Sequence, residues 1–273
     1  MAIEFRGVKG LVVAEVLTDN DSAYTTSAVK PLAPVAEISK SVENATDTHY
    51  YDNYGAIIID TEGPDTVTFT IAVPNDETYA WILGKTYDTT RKRFIDTQRV
   101  QRYFAVGYII GEIGEGEDER YVWRYKGTFA PPEETSATKD NGTDANNISL
   151  VFTGEYTAHS FANGKGTGIA APAKAQYIRK SSEVASAAQY FATVATPDTV
   201  FPAYALSITQ AAGTTVTVTR GGETLANGAV IFTGDVLTIS VTGGTITVNG
   251  AAFTSGNTHT VSANVTVVST AGQ

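Results

Sequence analysis

Arg102-Tyr103-Phe104-Ala105-Val106-Gly107-Tyr108-Ile109-Ile110 is rich in aromatic and β-branched residues. It is answered, after the acidic, glycine-spaced Gly111-Glu112-Ile113-Gly114-Glu115-Gly116-Glu117-Asp118-Glu119, by Arg120-Tyr121-Val122-Trp123-Arg124-Tyr125-Lys126-Gly127-Thr128-Phe129. Two β-favouring runs joined by a polar, glycine-rich connection read as a hairpin. Side chains alternate along a strand, so Tyr121, Trp123 and Tyr125 fall on one face and Val122, Arg124 and Lys126 on the other. Ala130-Pro131-Pro132-Glu133 ends the pairing, because proline cannot donate to a ladder. This hairpin is expected at the centre of a sheet, with its aromatic face packed on a helix around Trp81.

Outward from the hairpin, the preceding segments also read as strands. Gly7–Val16 forms a first strand around Leu11, Val12 and Val13, followed by a polar excursion from Leu17 to Pro31. A second strand is expected at 33–42, and Thr66–Val73 alternates Val67, Phe69, Ile71 and Val73 on one face. Between these two, Glu43–Pro64 carries Tyr50, Tyr51 and Tyr54 and the apolar Ala56-Ile57-Ile58-Ile59. Hairpin loops run two to five residues, so this length points either to a partner-binding arm or to a further strand on the core. Pro74-Asn75-Asp76-Glu77 offers a helix cap and first-turn acids, and Gly84 a stop, giving a helix of two to three turns. After the hairpin, Ile148–Tyr156 returns as a strand, and Ser182 is positioned to cap a second helix over 183–193.

From Leu206 the composition shifts. About a quarter of the remaining residues are threonine, and the charges shrink to Arg220, Glu223 and Asp235. Short alternating strands are expected at Thr215–Thr219, Val236–Val241, Thr245–Val248 and Thr260–Val268, punctuated by glycine and Asn-Gly turns. That pattern is a small Ig-like β-sandwich. The fold class is therefore mainly β: a sandwich or barrel with one or two short flanking helices over 1–200, and a second sandwich over 206–273.

The chain has 273 residues and a net charge of −10. That balance argues against a protein that grips nucleic acid, which needs clustered Lys and Arg. There is no cysteine, which excludes disulfides and thiolate metal sites. The N-terminus has no signal-like apolar segment and no run approaches a membrane span, so the expectation is a soluble protein made in a cytoplasm. His49, His159 and His259 share no ligand spacing. Gly111, Gly114 and Gly116 do not form a dinucleotide fingerprint, and there is no P-loop or nucleophile elbow. The acids of the hairpin tip lack the alternating ligands of a calcium loop and read as a solvated turn. No acid pair stands out for glycoside hydrolysis. The expectation is no enzyme, no metal and no cofactor.

Several segments, in order, resemble the major tail protein family of long, non-contractile-tailed bacteriophages. They are Gly7-Val8-Lys9, Lys30-Pro31-Leu32, Tyr50-Tyr51-Asp52-Asn53 and Trp81-Ile82-Leu83-Gly84-Lys85-Thr86-Tyr87-Asp88. The most specific is Tyr121-Val122-Trp123-Arg124-Tyr125-Lys126-Gly127-Thr128-Phe129-Ala130-Pro131-Pro132, followed by Leu150-Val151-Phe152-Thr153-Gly154 and Gln189-Tyr190-Phe191. The segment after 205 is similar to the Ig-like domains that many tail tube proteins append outside the virion.

The resemblance implies a tail tube subunit, assembled in the host cytoplasm into the virion. Its copies would form stacked, typically hexameric rings around a tape-measure protein, closed by a tail-terminator protein. Double-stranded DNA would later pass through the lumen without being bound. Sheet edges would meet within a ring, and the Glu43–Pro64 arm and the Ser136–Asn147 loop would reach neighbouring rings. The expected subunit-contact residues are Tyr50, Tyr51, Tyr54, Ile57, Ile58, Pro131, Pro132 and Asn141. The expected lumen-edge acids are Glu112, Glu115, Glu117, Asp118 and Glu119. An acidic wall repels phosphate, which agrees with the charge balance. The alternative is a carbohydrate-binding or adhesion protein working through its C-terminal domain, with cell-surface glycans as partner. No membrane partner is expected.

Overall fold

A computed structural model describes residues 4–51, 54–113, 118–132 and 147–272. The chain divides into two compact units, Met1–Ile178 with Val194–Asp198, and Arg179–Thr193 with Thr199–Gln273. In the first, β1 (Glu4–Asn20), β2 (Ala23–Thr26) and β3 (Lys30–Pro31) precede two long strands, β4 (Val35–Tyr51) and β5 (Tyr54–Ala72). Helix α1 (Asp76–Leu83) and a small hairpin of β6 (Thr86–Asp88) and β7 (Arg93–Ile95) lead into β8 (Phe104–Ile113) and β9 (Glu119–Phe129). Then come β10 (Asn147–Gly154) and β11 (Ala175–Arg179). The strands form one sheet in the order β2-β1-β8-β9-β10-β5-β4, with β3 on β1 and β11 on β9.

The quoted hairpin sits at the middle of that order, as expected. Its residues Phe104, Val106, Tyr108, Val122 and Phe129 share one buried apolar cluster with Val67, Phe69 and Ile71 of β5 and Leu150 and Phe152 of β10. Val73, by contrast, lies one residue beyond the end of β5 and is exposed. A bulge separates Phe104↔Gly127 from Val106↔Arg124, placing two residues of β9, Tyr125 and Lys126, against the single Ala105 of β8. The extra residue switches the side-chain parity, so Phe129 enters the same core as Val122.

The aromatic face of β9 does not pack on α1. Val122, on the opposite face, shares the cluster with Ile82 and Leu83. Tyr125 instead meets Phe161 at 5.2 Å and Tyr24 at 6.1 Å between ring centroids, and the Tyr24 hydroxyl donates to the Tyr125 carbonyl at 2.5 Å. The reason is that the chain from 155 to 178 crosses over this face, with the Tyr125 amide donating to the Lys174 carbonyl at 2.9 Å. Both faces of β9 are covered, so alternation alone does not say which one meets the helix.

The expected stretch 17–30 is shorter as a loop than the sequence suggests. β1 continues to Asn20 and turns back through Asp21-Ser22, whose turn is held by the Asn20 carboxamide accepting from Ser22 and Ala23 amides at 2.9 and 3.0 Å. Helix α1 follows its sequence signals. Asn75 caps it by accepting from the Thr78 amide at 2.8 Å, and Gly84 ends it at φ 68°. A Cβ at Gly84 would stand 1.9 Å from the Val100 carbonyl oxygen, so no other residue fits there.

The second helix differs. Glu183 adopts φ 49°, which breaks any helix opened at Ser182. Only Ala187–Tyr190 (α2) is helical, capped by Ser186 through the Gln189 amide. Val184, inside the stretch expected to be helical, is exposed, and Tyr190 is the buried residue of α2.

The remainder of the second unit is a two-sheet sandwich. Its strands are β12 (Ala203–Thr209), β13 (Thr215–Arg220), β14 (Glu223–Leu225), β15 (Val230–Phe232), β16 (Val236–Thr242), β17 (Gly244–Val248), β18 (Ala251–Phe253), β19 (Thr258–Thr260) and β20 (Val265–Ala271). The sheets run β15-β12-β20-β17-β18 and β14-β13-β16-β19. The single strand expected over Thr260–Val268 is two strands, because the chain passes from one sheet to the other between them. Val218, Leu237, Ile239, Ile246, Val265 and Val267 fill the space between the sheets. Asp235 is buried there, accepting from Arg220 and from the Phe232 amide, both at 2.9 Å. β12 and β20, the first and last strands, pair in parallel from Leu206↔Val265 to Thr209↔Val268.

Candidate subunit-contact surface

The feature that stands apart from the sheet is the ribbon of β4 and β5. Its inner rungs, from Val35↔Ile71 to Val42↔Asp65, are reinforced because β10 pairs the other edge of β5 from Asp65 to Ala72. Its outer rungs, from Asn44↔Glu62 to Tyr51↔Tyr54, pair only with each other among the described residues. At ~3.3 Å per residue the outer part reaches about 25 Å beyond the last three-stranded rung. The Glu43–Pro64 stretch is therefore an arm built by extending two strands, with the tyrosines at its tip: Tyr50 opposite Gly55, and Tyr51 opposite Tyr54. Ile57 and Ile58 stand opposite His49 and Thr48.

The arm leaves the sheet at a bulge. Gly63 and Pro64 oppose the single residue Glu43, a place where a proline's missing donor costs no ladder bond. A Cβ on Gly63 would lie 2.7 Å from the Glu43 carbonyl oxygen, so the backbones meet too closely for a side chain. This root is clamped by charge. The Lys174 ammonium donates to the Gly63 carbonyl at 2.5 Å and to Glu62 at 2.8 Å. It also lies 3.6 Å from Asp65 and 4.6 Å from the Tyr156 ring centroid. Tyr156 in turn donates to Glu62 at 3.2 Å.

Beneath the root, Asp65 is only 2% exposed and Arg124 6%. Arg124 donates to Asp65 at 2.6 Å and to the Tyr108 hydroxyl at 3.1 Å, and Lys40 reaches Asp65 at 3.0 Å. Burial alone would raise the Asp65 pKa. The hydrogen bonds from Lys40 and Arg124 outweigh it and hold the carboxyl below its ordinary range. Burial would likewise lower Lys174, but the Glu62 hydrogen bond and the Asp65 and Glu62 charges raise it instead.

The other expected contact residues lie elsewhere. Pro131 is exposed and Pro132 half-buried, directly after β9 ends at Phe129. Glu112 stands opposite Phe5 near the end of β8. Asp118 turns its carboxylate onto the Glu119 amide at 2.9 Å, and Glu119 pairs with Lys9. At least one of the five expected acids is therefore neutralised within its own subunit. Glu115, Glu117 and Asn141 lie outside the described residues.

Sequence reasoning missed Asp65, Arg124, Lys40 and Lys174 as a group. One signal was available: Arg124 is a charge flanked by Trp123 and Tyr125 in an aromatic strand. Among the described residues no cluster of His, Cys, Asp or Glu is arranged to hold a metal ion, and no helix is long and apolar enough to cross a membrane. No protein-family model matches this chain, and no curated protein matches it either.

Proposed function

We propose that this protein is a structural subunit that assembles with copies of itself into stacked rings, as the tail tube of a long-tailed phage, and so forms the channel for genome passage. The observation that carries this reading is the outer half of the β4–β5 ribbon. An isolated two-stranded ribbon is marginal in water, and its backbone edges are open to pair. A paired arm about 25 Å long, anchored at its root by a buried ion network, is a feature that serves a neighbour rather than its own domain. The net charge of −10 supports a channel that passes DNA without holding it. Tape-measure and terminator proteins would be the other partners, and the virion the site of action.

Negative-stain electron microscopy of the purified protein tests this directly: rings or tubes are expected at high concentration. A strictly monomeric protein after long incubation would overturn the reading. The adhesion alternative predicts a different dependence. Removal of Thr199–Gln273 leaves assembly intact if the first unit builds the tube, and abolishes the only activity if the second unit is the working part.

A further inference from the structure

The small hairpin of β6 and β7 carries Arg91-Lys92-Arg93 at its turn, a run of cations in an otherwise acidic chain. All three are exposed, and they share one carboxylate. Asp88 lies 3.4 Å from Arg91 and 3.5 Å from Arg93, whose side chains are 70% and 57% exposed. Its other oxygen accepts from the Thr90 and Arg91 amides at 3.1 and 3.0 Å, which shapes the turn. Lys92 has no ion pair among the described residues, and Lys85, the preceding cation in the chain, is matched by Asp96. Solvated pairs at such distances hold little, so the turn stays cationic. Lys92 also takes φ 52°, a left-handed backbone that glycine or asparagine adopts at less cost. A lysine kept in that conformation at a hairpin turn points to a use for its charge.

The turn stands at one end of the β8–β9 hairpin. Tyr79 of α1 meets Phe94 of β7 at 5.9 Å, and Trp81 meets Phe104 of β8 at 5.1 Å, between ring centroids. Arg99, a little beyond β7, donates to the Phe129 carbonyl at the end of β9 at 2.5 Å. These contacts hold β6 and β7 where β8 begins and β9 ends. Acids lie at the opposite end. The last rung of the hairpin is Gly111↔Glu119, and the chain beyond it carries Glu112, Glu115, Glu117 and Asp118. Glu119 itself is matched by Lys9. The length of β8, Phe104–Ile113, separates the two ends by about 30 Å. The first unit therefore carries opposite charge at the two ends of its central strands.

We infer that the Arg91–Arg93 turn receives the acidic 112–118 connection of a second copy of this chain. The inference rests on the self-assembly reading and adds a contact that joins copies end to end. A patch and its complement at opposite ends of one chain make a head-to-tail contact, which each copy passes on to the next. A second copy suits the turn better than an unrelated acidic partner, because every copy brings the complement with it. Like ends repel, so copies meet in one orientation. The contact is solvated and made by long side chains, so it governs encounter and polarity more than strength, and salt weakens it. The connection's acids then meet the cations of a neighbour instead of edging a lumen.

Because the chain has no cysteine, single introduced thiols report the contact. Full-length Thr90→Cys and Gly116→Cys variants keep every charge. They are mixed, concentrated until light scattering and electron microscopy report assembly, and treated with a short bismaleimide. Each chain carries one thiol, so any cross-link joins two copies. Mixed dimers are expected about tenfold above the dimers of either variant alone. Assembly without that excess would overturn this inference and leave the tube reading standing. Charge reversal gives a second readout. Arg91→Glu with Lys92→Glu is expected to raise the concentration needed for assembly about tenfold, and adding Glu115→Lys with Glu117→Lys to bring it back. Failure of the exchange to restore assembly, in a variant whose circular dichroism matches the parent, would also overturn the inference. Glu133 and Glu134, which follow β9 in the sequence, are the competing occupant. A chain carrying both Thr90→Cys and Thr135→Cys that the bismaleimide closes on itself in dilute protein would put them on the turn and overturn the contact between copies. No assembly under any condition would overturn the tube reading and this contact with it.

Discussion

The two halves of the β4–β5 ribbon are made by the same pair of strands, yet they are held by different things. The inner half has a third strand alongside from Asp65 to Ala72, a buried apolar face at Val67, Phe69 and Ile71, and a carboxylate locked by two cations. The outer half has only its own cross-strand rungs among the described residues. The inner half belongs to the domain's own stability, and the outer half is the part that the proposed function assigns to assembly. Experiments that separate stability from assembly can therefore break or sharpen this contrast.

The largest effect on stability is expected from Arg124→Met, which takes from the buried Asp65 carboxylate its most buried cation and leaves it to Lys40 and Lys174. Removing one partner of a buried pair costs about 3–5 kcal/mol, readable as a lower midpoint in denaturant unfolding. Adding Asp65→Leu to that variant should restore part of the loss, because the cost lies mainly in a buried carboxylate short of one partner. A double variant no better than the single would show that the pair does more than satisfy itself.

Lys174→Ala should cost less, about 1–2 kcal/mol, because Glu62, one of its partners, is half exposed to water. Its informative readout is local. Amide exchange in the outer rungs should speed up while Val67, Phe69 and Ile71 stay protected. Equal loss of protection in both halves would mean that the root is not a boundary.

Acid should act through the same root. The Asp65 pKa is lowered in the folded protein, so its contribution is complete above the unfolded carboxyl value of ~3.9 and is lost as pH falls through the folded value. The Lys174 pKa is raised, so its contribution is complete below the unfolded value of ~10.4 and is lost as pH climbs past it. The network should be at full strength between about pH 4 and 10. Asp65→Asn should flatten the acid limb of a stability–pH curve; an unchanged limb would assign acid sensitivity elsewhere.

The smallest effect on stability is expected from excising the outer half, joining Glu43 to Gly63 through a two-residue Asn-Gly turn. The unfolding midpoint should stay within a few degrees of the parent, and assembly should disappear from light scattering. A collapse in stability would place the arm inside the folding unit and erase the distinction between the halves.

Much of the inner half could be read from residues alone. Val67, Phe69 and Ile71 alternate in a strand with no competing period, and Asn75 and Gly84 bracket α1 with groups that few other residues replace. The central place of the 102–129 hairpin was equally legible. What was not legible depends on partners far away in the chain. The face of β9 that meets the helix could not be chosen, because Trp123 and Val122 are both buried and only the 155–178 crossing separates their surroundings. The root network joins Lys40, Asp65, Arg124 and Lys174, whose spacing follows the sheet order and no local period. The break after Ser182 turns on the backbone of Glu183, a residue whose identity gives no warning of a left-handed conformation.

The parallel pairing of β12 with β20 has a mechanical consequence. Because the first and last strands of the sandwich run side by side in the same direction, the chain enters at one end of the pair and leaves at the other. Tension along the chain then loads the rungs from Leu206↔Val265 to Thr209↔Val268 in shear, all together. Pulled through Thr215 and Thr242, which stand opposite each other on antiparallel strands, the same domain would unzip one rung at a time. Single-molecule stretching through residues 203 and 271 should therefore need a higher force than stretching through 215 and 242. A domain hung on a filament by its own backbone would have its strongest axis along the line of drag.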